Sequence, residues 1–278
     1  MQPRQIAIIG LGLMGGSLAA ACRRHFPRSR LIGISRKSSA LQFARRKKWI
    51  HEGFTQVSQG VNAADLVILC TPVDTLMSYL ELLDRHCRPG TLVTDVGSVK
   101  ARLFSQVARR HWHNIRFVSA HPMVGSHERS IAAARPNLYE HGYTFVIRSA
   151  KTNAKAWGSI RQFWKKISGR VISLSPPEHD RLVAQISHLP HLLAVCLILA
   201  LPKKVLAYAG SGFRDTTRIA QGHPSIWLPI LMQNRAELLK SVRLLERSLS
   251  RARQAFDRNQ VKKIARMLRC AAQIRSEI

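Results

Sequence analysis

The sequence predicts an α/β protein with two domains: a doubly wound parallel sheet over residues 1–175 and an all-helical half over 176–278. Two observations carry this reading. Through the first half, short continuous apolar runs alternate with helical stretches, the pattern of strands covered on both faces by crossover helices. Beyond SPPEHD (175–180) the pattern is helical, punctuated by Pro190, Pro202 and AGSGF (209–213), with no strand signal.

The first run, QIAIIG (5–10), enters the turn Gly10-Leu11-Gly12-Leu13-Met14-Gly15 and then the helical stretch SLAAACRRHF. Three glycines between a first strand and a helix form the phosphate-binding turn of a Rossmann-type dinucleotide domain. Gly10 permits the tight turn, and Gly12 lets backbone amides approach a pyrophosphate. Gly15 allows close helix–strand packing, with Leu13 and Met14 completing the loop. The second run, RLIGIS (30–35), ends in Ser35-Arg36-Lys37-Ser38. A dinucleotide without a 2′-phosphate is usually met there by an Asp or Glu. A hydroxyl followed by two cations suits a 2′-phosphate instead, so NADP is the expected cofactor, ahead of NAD.

The helical stretch SALQFARRKKW leads towards the strand DLVILC (65–70). Cys70-Thr71-Pro72 closes that strand at the carboxyl edge of the sheet, where Thr71 and Pro72 border the cofactor. TLMSYLELLDRHC, the strand TLVTDV (91–96), the helical VKARLFSQVARRH and the strand RFVSA (116–120) complete the alternation. YTFVI (143–147) and RVISL (170–174), flanking a helix near 153–167, are expected to extend the same sheet.

Two polar motifs fall at strand ends on that edge: Thr94-Asp95-Val96-Gly97-Ser98-Val99-Lys100 and His121-Pro122-Met123-Val124-Gly125-Ser126. Both are expected to project into one crevice beside the nicotinamide. The helical half adds Ser187-His188-Leu189-Pro190-His191 and Gly210-Ser211-Gly212-Phe213-Arg214-Asp215-Thr216-Thr217-Arg218. Ser187 and His191, four apart, share a face of a regular helix, and Asp215 and Arg218 are three apart.

Composition bounds the function classes. Forty-four Lys+Arg against 15 Asp+Glu give a formal charge of +29, which attracts polyanions and anionic small molecules. The basic residues are scattered and only 6% of residues are aromatic, which argues against a nucleic-acid groove. Five cysteines, far apart and without a CxxC pair, fit a reducing compartment better than a disulfide or zinc framework. The N-terminus enters an apolar strand within five residues, without the three regions of a signal peptide. The most apolar run, Leu192 to Leu201, falls short of the roughly 20 residues of a membrane span and reads as a buried core helix. A cytoplasmic protein without membrane association is expected.

Taken together, GLGLMGGSL, TDVGSVK, HPMVGS, SHLPH and GFRDTTRIA resemble, in order and spacing, the prephenate/arogenate dehydrogenases of tyrosine biosynthesis, over residues 5 to about 245. The resemblance implies a helical second domain that dimerises, and oxidative decarboxylation of a cyclohexadienol, arogenate or prephenate, with hydride transfer to NADP. It implies His121 as the base, Ser98 as a hydrogen-bond partner of its ring or of substrate, and Arg218 as the ion-pair partner of a substrate carboxylate. Ser187 and His191 would contact the substrate side chain, with Ser126 at the pocket mouth. Many prephenate-using relatives carry a glutamate after the HPxxG[ST] motif; here His127 stands there, and with SRKS this looks more like the arogenate branch, whereas His191 resembles prephenate users. The alternatives are a prephenate-specific NAD enzyme, a β-hydroxyacid dehydrogenase and a basic NADP-sensing nucleic-acid binder without turnover. SHLPHLLAVCLIL lacks the lysine that the second would need.

Overall fold

The computed structural model describes residues 2–277 apart from 126, 127 and 129. Six parallel strands form the main sheet: β1 (Gln5–Ile9), β2 (Arg30–Ile34), β3 (Glu52–Phe54), β4 (Leu66–Leu69), β5 (Thr91–Asp95) and β6 (Ile115–Phe117). Their spatial order is β3-β2-β1-β4-β5-β6. The order reverses between β1 and β4, and the crevice outside their carboxyl ends is where a doubly wound sheet binds its ligand.

Successive residues explain the double cover. Ile6 and Ile8 of β1 join one core cluster with Leu66 and Ile68 of β4, whereas Ala7 and Ile9 join the other with Val67 and Leu69. Strand side chains alternate between faces, so a continuous apolar run fills two layers at once. The first layer is closed by the helices Leu13–His25 and Ala154–Ile167, with Phe26 stacked on Phe163. The second is closed by Val57–Val61, Leu76–His86 and Ala101–Val107.

Two strand expectations are corrected. The run 116–120 is split: the chain leaves β6 at Phe117, and Ala120–Pro122 forms a separate strand, β7. YTFVI and RVISL, as β8 (Tyr143–Ile147) and β9 (Arg170–Leu174), do not extend the main sheet. They build a second sheet in the order β7-β8-β9, with β7 and β8 antiparallel. The cause is local: Ile147 donates its N–H to the Ser119 carbonyl, drawing the chain after β6 onto β8.

After Leu174 the described residues are helical or irregular. One helical rod runs from Pro176 to Leu199, with a π-helical turn at Ala184–His188. By length and composition it is apolar enough to cross a membrane. It is not the buried core helix expected: Leu193 and Leu199 are exposed, and little of its apolar face is covered within one chain. Two further helices close the described chain. Arg235–Asp257 ends at a turn in which Asn259 has φ 48°, and Val261–Ser276 follows.

Gly10 shows why a glycine opens the sheet edge. Its φ is +95°, and a Cβ there would lie 2.5 Å from the Cys70 carbonyl oxygen. Gly10→Ala is therefore expected to lower the thermal midpoint by at least about 5 °C, since strain and clash together cost on the order of 2 kcal/mol or more. An unchanged midpoint in a thermal melt would contradict this packing.

Candidate active site

At the amino end of the helix Leu13–His25, Gly12 is the N-cap, no side chain caps the first turn and no acid lies in it. A Cβ on Gly15 would sit 1.9 Å from the Gly10 carbonyl oxygen, so only glycine lets the helix start this close to β1. Free amides, positive dipole and bare backbone together fit a phosphate group. Leu13 is buried, and the Met14 carbonyl is anchored by the Tyr139 hydroxyl at 2.8 Å.

Beyond β2, the Ser35 hydroxyl accepts the Lys37 N–H at 3.3 Å, and the Arg36 and Lys37 side chains are exposed, without an ion pair among the described residues. Two unpaired cations and a hydroxyl at this position fit an added phosphate. Beyond β4, Thr75 donates to the Thr71 hydroxyl, and Pro72 begins the short turn into the next helix.

The two polar motifs meet in a buried knot. Lys100 is fully buried; its Nζ lies 2.7 Å from Asp95 Oδ2 and 2.7 Å from the Ala120 carbonyl oxygen. The other Asp95 oxygen accepts the Ser119 hydroxyl and the Ala120 N–H, and Gly97 N–H binds Oδ2. Asp95 thus fastens β5 to the start of β7, the strand that carries His121. Burial lowers the proton affinity of Lys100, and Asp95 opposes the effect.

His121 lies within β7, opposite Phe145 of β8, and is 7% exposed. Its Nδ1 is 2.8 Å from Nε2 of His179, whose own Nδ1 is 2.8 Å from Asp180 Oδ1. Ser98, expected to bond this ring or the substrate, is half-buried and makes no side-chain hydrogen bond among the described residues; His179 holds the ring at Nδ1. Burial first, then neighbouring His179 and Lys100, push the His121 proton affinity well below that of a free imidazole.

His179 and Asp180 were missed because EHD looks like an ordinary helix start. Ser175 and Glu178 form a capping box there, which fixes the first turn of the rod and aims the next two side chains inward. Asp180 also accepts the Lys100 N–H at 2.9 Å and the Ala101 N–H at 2.8 Å, joining the rod to the main-sheet half. The one available signal was two adjacent ionisable residues just inside a capping box.

Farther along the rod, the π turn shifts the register between Ser187 and His191, so the regular face expected for them is interrupted. Ser187 is half-buried without a side-chain hydrogen bond among the described residues. His188 is buried, with Nδ1 3.0 Å from the Asn234 amide nitrogen. His191 is buried beneath Trp227, the rings parallel with centroids 3.6 Å apart, and packs near Ile219 and Gly222. Arg218, next to Ile219, is exposed; neither it nor Asp215 forms an ion pair among the described residues. Ser126 and His127 lie outside the described residues. The structure therefore bonds His121 to His179 and brings His188 and His191 near them, whereas Arg218 is exposed beside Ile219 and is not brought onto these rings among the described contacts.

A doubly wound sheet with a glycine phosphate turn, joined to a helical half that supplies polar groups to the sheet edge, defines a two-domain, dinucleotide-dependent dehydrogenase architecture. Comparison with known proteins narrows it. The nucleotide-binding domain model of prephenate dehydrogenase matches residues 18–173, and the dimerization domain model of the same enzyme matches 175–270. The chain belongs to the prephenate dehydrogenase family. The prephenate dehydrogenase of Bacillus subtilis is 34% identical over 241 residues, covering 84% of this chain but 65% of the relative's length. The crystal structure of prephenate dehydrogenase from A. aeolicus, in complex with hydroxyphenyl propionate and NAD+, matches with a TM-score of 0.91 at 29% identity, covering 99% of this chain and 98% of that one. Synechocystis arogenate dehydrogenase matches with a TM-score of 0.83 at 29% identity, covering 98% and 99%.

Burial lowers the proton affinity of His121, His179 and His188, the last to about 4. The sign follows directly. Below pH 6.5 the unfolded chain binds protons that the folded histidines refuse, so stability is full above that pH and falls on acidification. His188 alone accounts for about 3 kcal/mol by pH 4. The thermal midpoint is expected to drop between pH 6.5 and 5, where ordinary carboxylates remain ionised. A flat midpoint over that interval would contradict a neutral histidine chain.

Proposed function

We infer that the protein catalyses oxidative decarboxylation of a cyclohexadienol, arogenate or prephenate, using NADP. The observation carrying this is the buried imidazole of His121 in β7, beside the end of β5 and held by Nδ1, with no described residue bonded to Nε2. A neutral imidazole accepts a hydroxyl proton, and the depressed proton affinity of His121 keeps it neutral at physiological pH. A bound nicotinamide supplies the hydride acceptor. The protein's task is to take the hydroxyl proton at His121 Nε2, orient the ring and fix its carboxylates while carbon dioxide leaves and the ring aromatises.

Arg218 is the candidate anchor for a substrate carboxylate, because its guanidinium binds both oxygens at once. Ser98, Ser126 and Ser187 are candidate polar contacts around the ring. Trp227 covers one face of the His191 ring, so a substrate contact would be made through the ring edge or the other face. The phosphate turn, with Gly10, Gly12, Leu13, Met14 and Gly15, would hold the pyrophosphate, Ser35, Arg36 and Lys37 the 2′-phosphate, and Thr71 and Pro72 the adjoining edge. The division near residue 175 is supported by the end of β9 at Leu174 and by the junction of the two family models.

The exposed apolar residues of the helical half, among them Leu199, Leu228 and Met232, favour a homodimer over a lone chain. They also account for the apolar rod. Buried Asp180, His179, His188 and His191 interrupt it, which suits a subunit interface better than lipid. With Cys22 and Cys87 buried as free thiols, a reducing, cytoplasmic location is the natural reading.

Assays following NADPH at 340 nm with each cyclohexadienol test the reaction. His121→Asn is expected to reduce kcat roughly 100-fold or more with cofactor affinity retained, as loss of a general base requires. Arg218→Ala is expected mainly to raise KM. Turnover unchanged in the first variant, or KM unchanged in the second, would remove that residue from its role.

Ser35→Asp combined with Arg36→Ala is expected to shift preference towards NAD, because a carboxylate repels the 2′-phosphate that the cation attracted. An unaltered ratio of kcat/KM for the two cofactors would show that the phosphate is read elsewhere.

A further inference from the structure

We propose that His179 and Asp180 are positioning residues that set the tautomer of His121, leaving its crevice-facing nitrogen free of hydrogen. This rests on the reading of His121 as the base and names the groups that make it one.

The derivation starts at Asp180. Its carboxylate accepts two backbone N–H groups, from Lys100 at 2.9 Å and Ala101 at 2.8 Å. An ionised carboxylate only accepts, so in the 2.8 Å contact with Oδ1 the hydrogen belongs to His179 Nδ1. Burial keeps His179 from a second proton, so its Nε2 presents a lone pair. That lone pair faces His121 Nδ1 at 2.8 Å, and a hydrogen must lie between the two nitrogens. It comes from His121. A neutral His121 then has its single ring hydrogen on Nδ1 and its lone pair on Nε2. The opposite tautomer would set two lone pairs against each other at hydrogen-bond distance inside the protein.

The packing holds this arrangement. Phe145 lies edge-on to both imidazoles, with centroids 6.4 Å from His121 and 5.7 Å from His179. The Asn234 amide donates to the Asp180 carbonyl at 2.8 Å, fixing the first turns of the rod from the far side. When His121 takes a proton at Nε2, its Nδ1–H stays on His179, and His179 stays on the Asp180 carboxylate. The new positive charge is thus met by an oriented dipole backed by an anion.

The test reads the ring nitrogens directly. Full-length protein labelled with 15N-histidine is examined at pH 7.5 by two-bond proton–nitrogen correlation, the His121 signals being those absent from His121→Asn. Wild-type protein is expected to show a protonated Nδ1 and a bare Nε2. His179→Phe keeps a ring but no acceptor; it should show both His121 tautomers and lose about 100-fold in kcat, the usual weight of a general base, with KM moving less than about 3-fold. His179→Gln, whose amide oxygen can accept the Nδ1–H, should recover most of the turnover and the wild-type tautomer. It carries the test should the phenylalanine variant not fold. Hydrogen on Nε2 in wild type, or a His179→Gln or His179→Phe spectrum and kcat that contradict these outcomes, overturns the proposal. A protein that turns over neither cyclohexadienol but shows the Nδ1–H tautomer supports it, and removes instead the reaction assigned above.

Discussion

The arrangement depends on one buried cation. Lys100 has no exposed surface; its ammonium is bonded to the Asp95 carboxylate and the Ala120 carbonyl, and the Asp180 carboxylate adds to its stabilisation. Desolvating such a pair is expensive, and removing one partner typically costs about 3–5 kcal/mol, because the other charge stays buried and unpaired. The pair therefore persists only where the surrounding backbone completes every bond. Here the completing groups are Ser119 and Gly97 in the main-sheet half, while Lys100 N–H reaches Asp180 in the helical half. One lysine thus joins β5, β7 and the helical rod.

That junction explains how a strongly basic protein keeps His121 neutral. Burial and the neighbouring ammonium both resist a second proton on His121. The chain as a whole, by contrast, carries a formal net charge of +29. Anions are drawn towards the molecule over long range, whereas the base waits unprotonated in an enclosure of low dielectric. The two effects act at different distances and do not conflict.

Much of this was legible in the amino-acid order, for identifiable reasons. Short continuous apolar runs alternating with helical stretches read as strands with two covered faces, so β1, β2, β4 and β5 stood out. β3 did not, being three residues with a glycine at its centre. The split between β6 and β7 was hidden, because Val118 and Ser119 are as strand-like as their neighbours; only the Asp95 and Ile147 contacts turn the chain. The glycine turn was readable since its conformation is imposed locally. The partner of His121 was not: His179 lies 58 residues away and is brought in by the rod's docking. The π turn at Ala184–His188 and the seating of Trp227 on His191 are likewise tertiary outcomes, with no local pattern to announce them.

The central claim is that His121 presents a free nitrogen to the reacting hydroxyl while the opposite nitrogen stays tied to His179. A crystal structure with NADP and hydroxyphenyl propionate bound tests it most directly. The account predicts the ligand hydroxyl within about 2.6–3.2 Å of His121 Nε2, with the Nδ1–His179 bond intact. A hydroxyl held by other groups, with His121 turned away from it, would contradict the account.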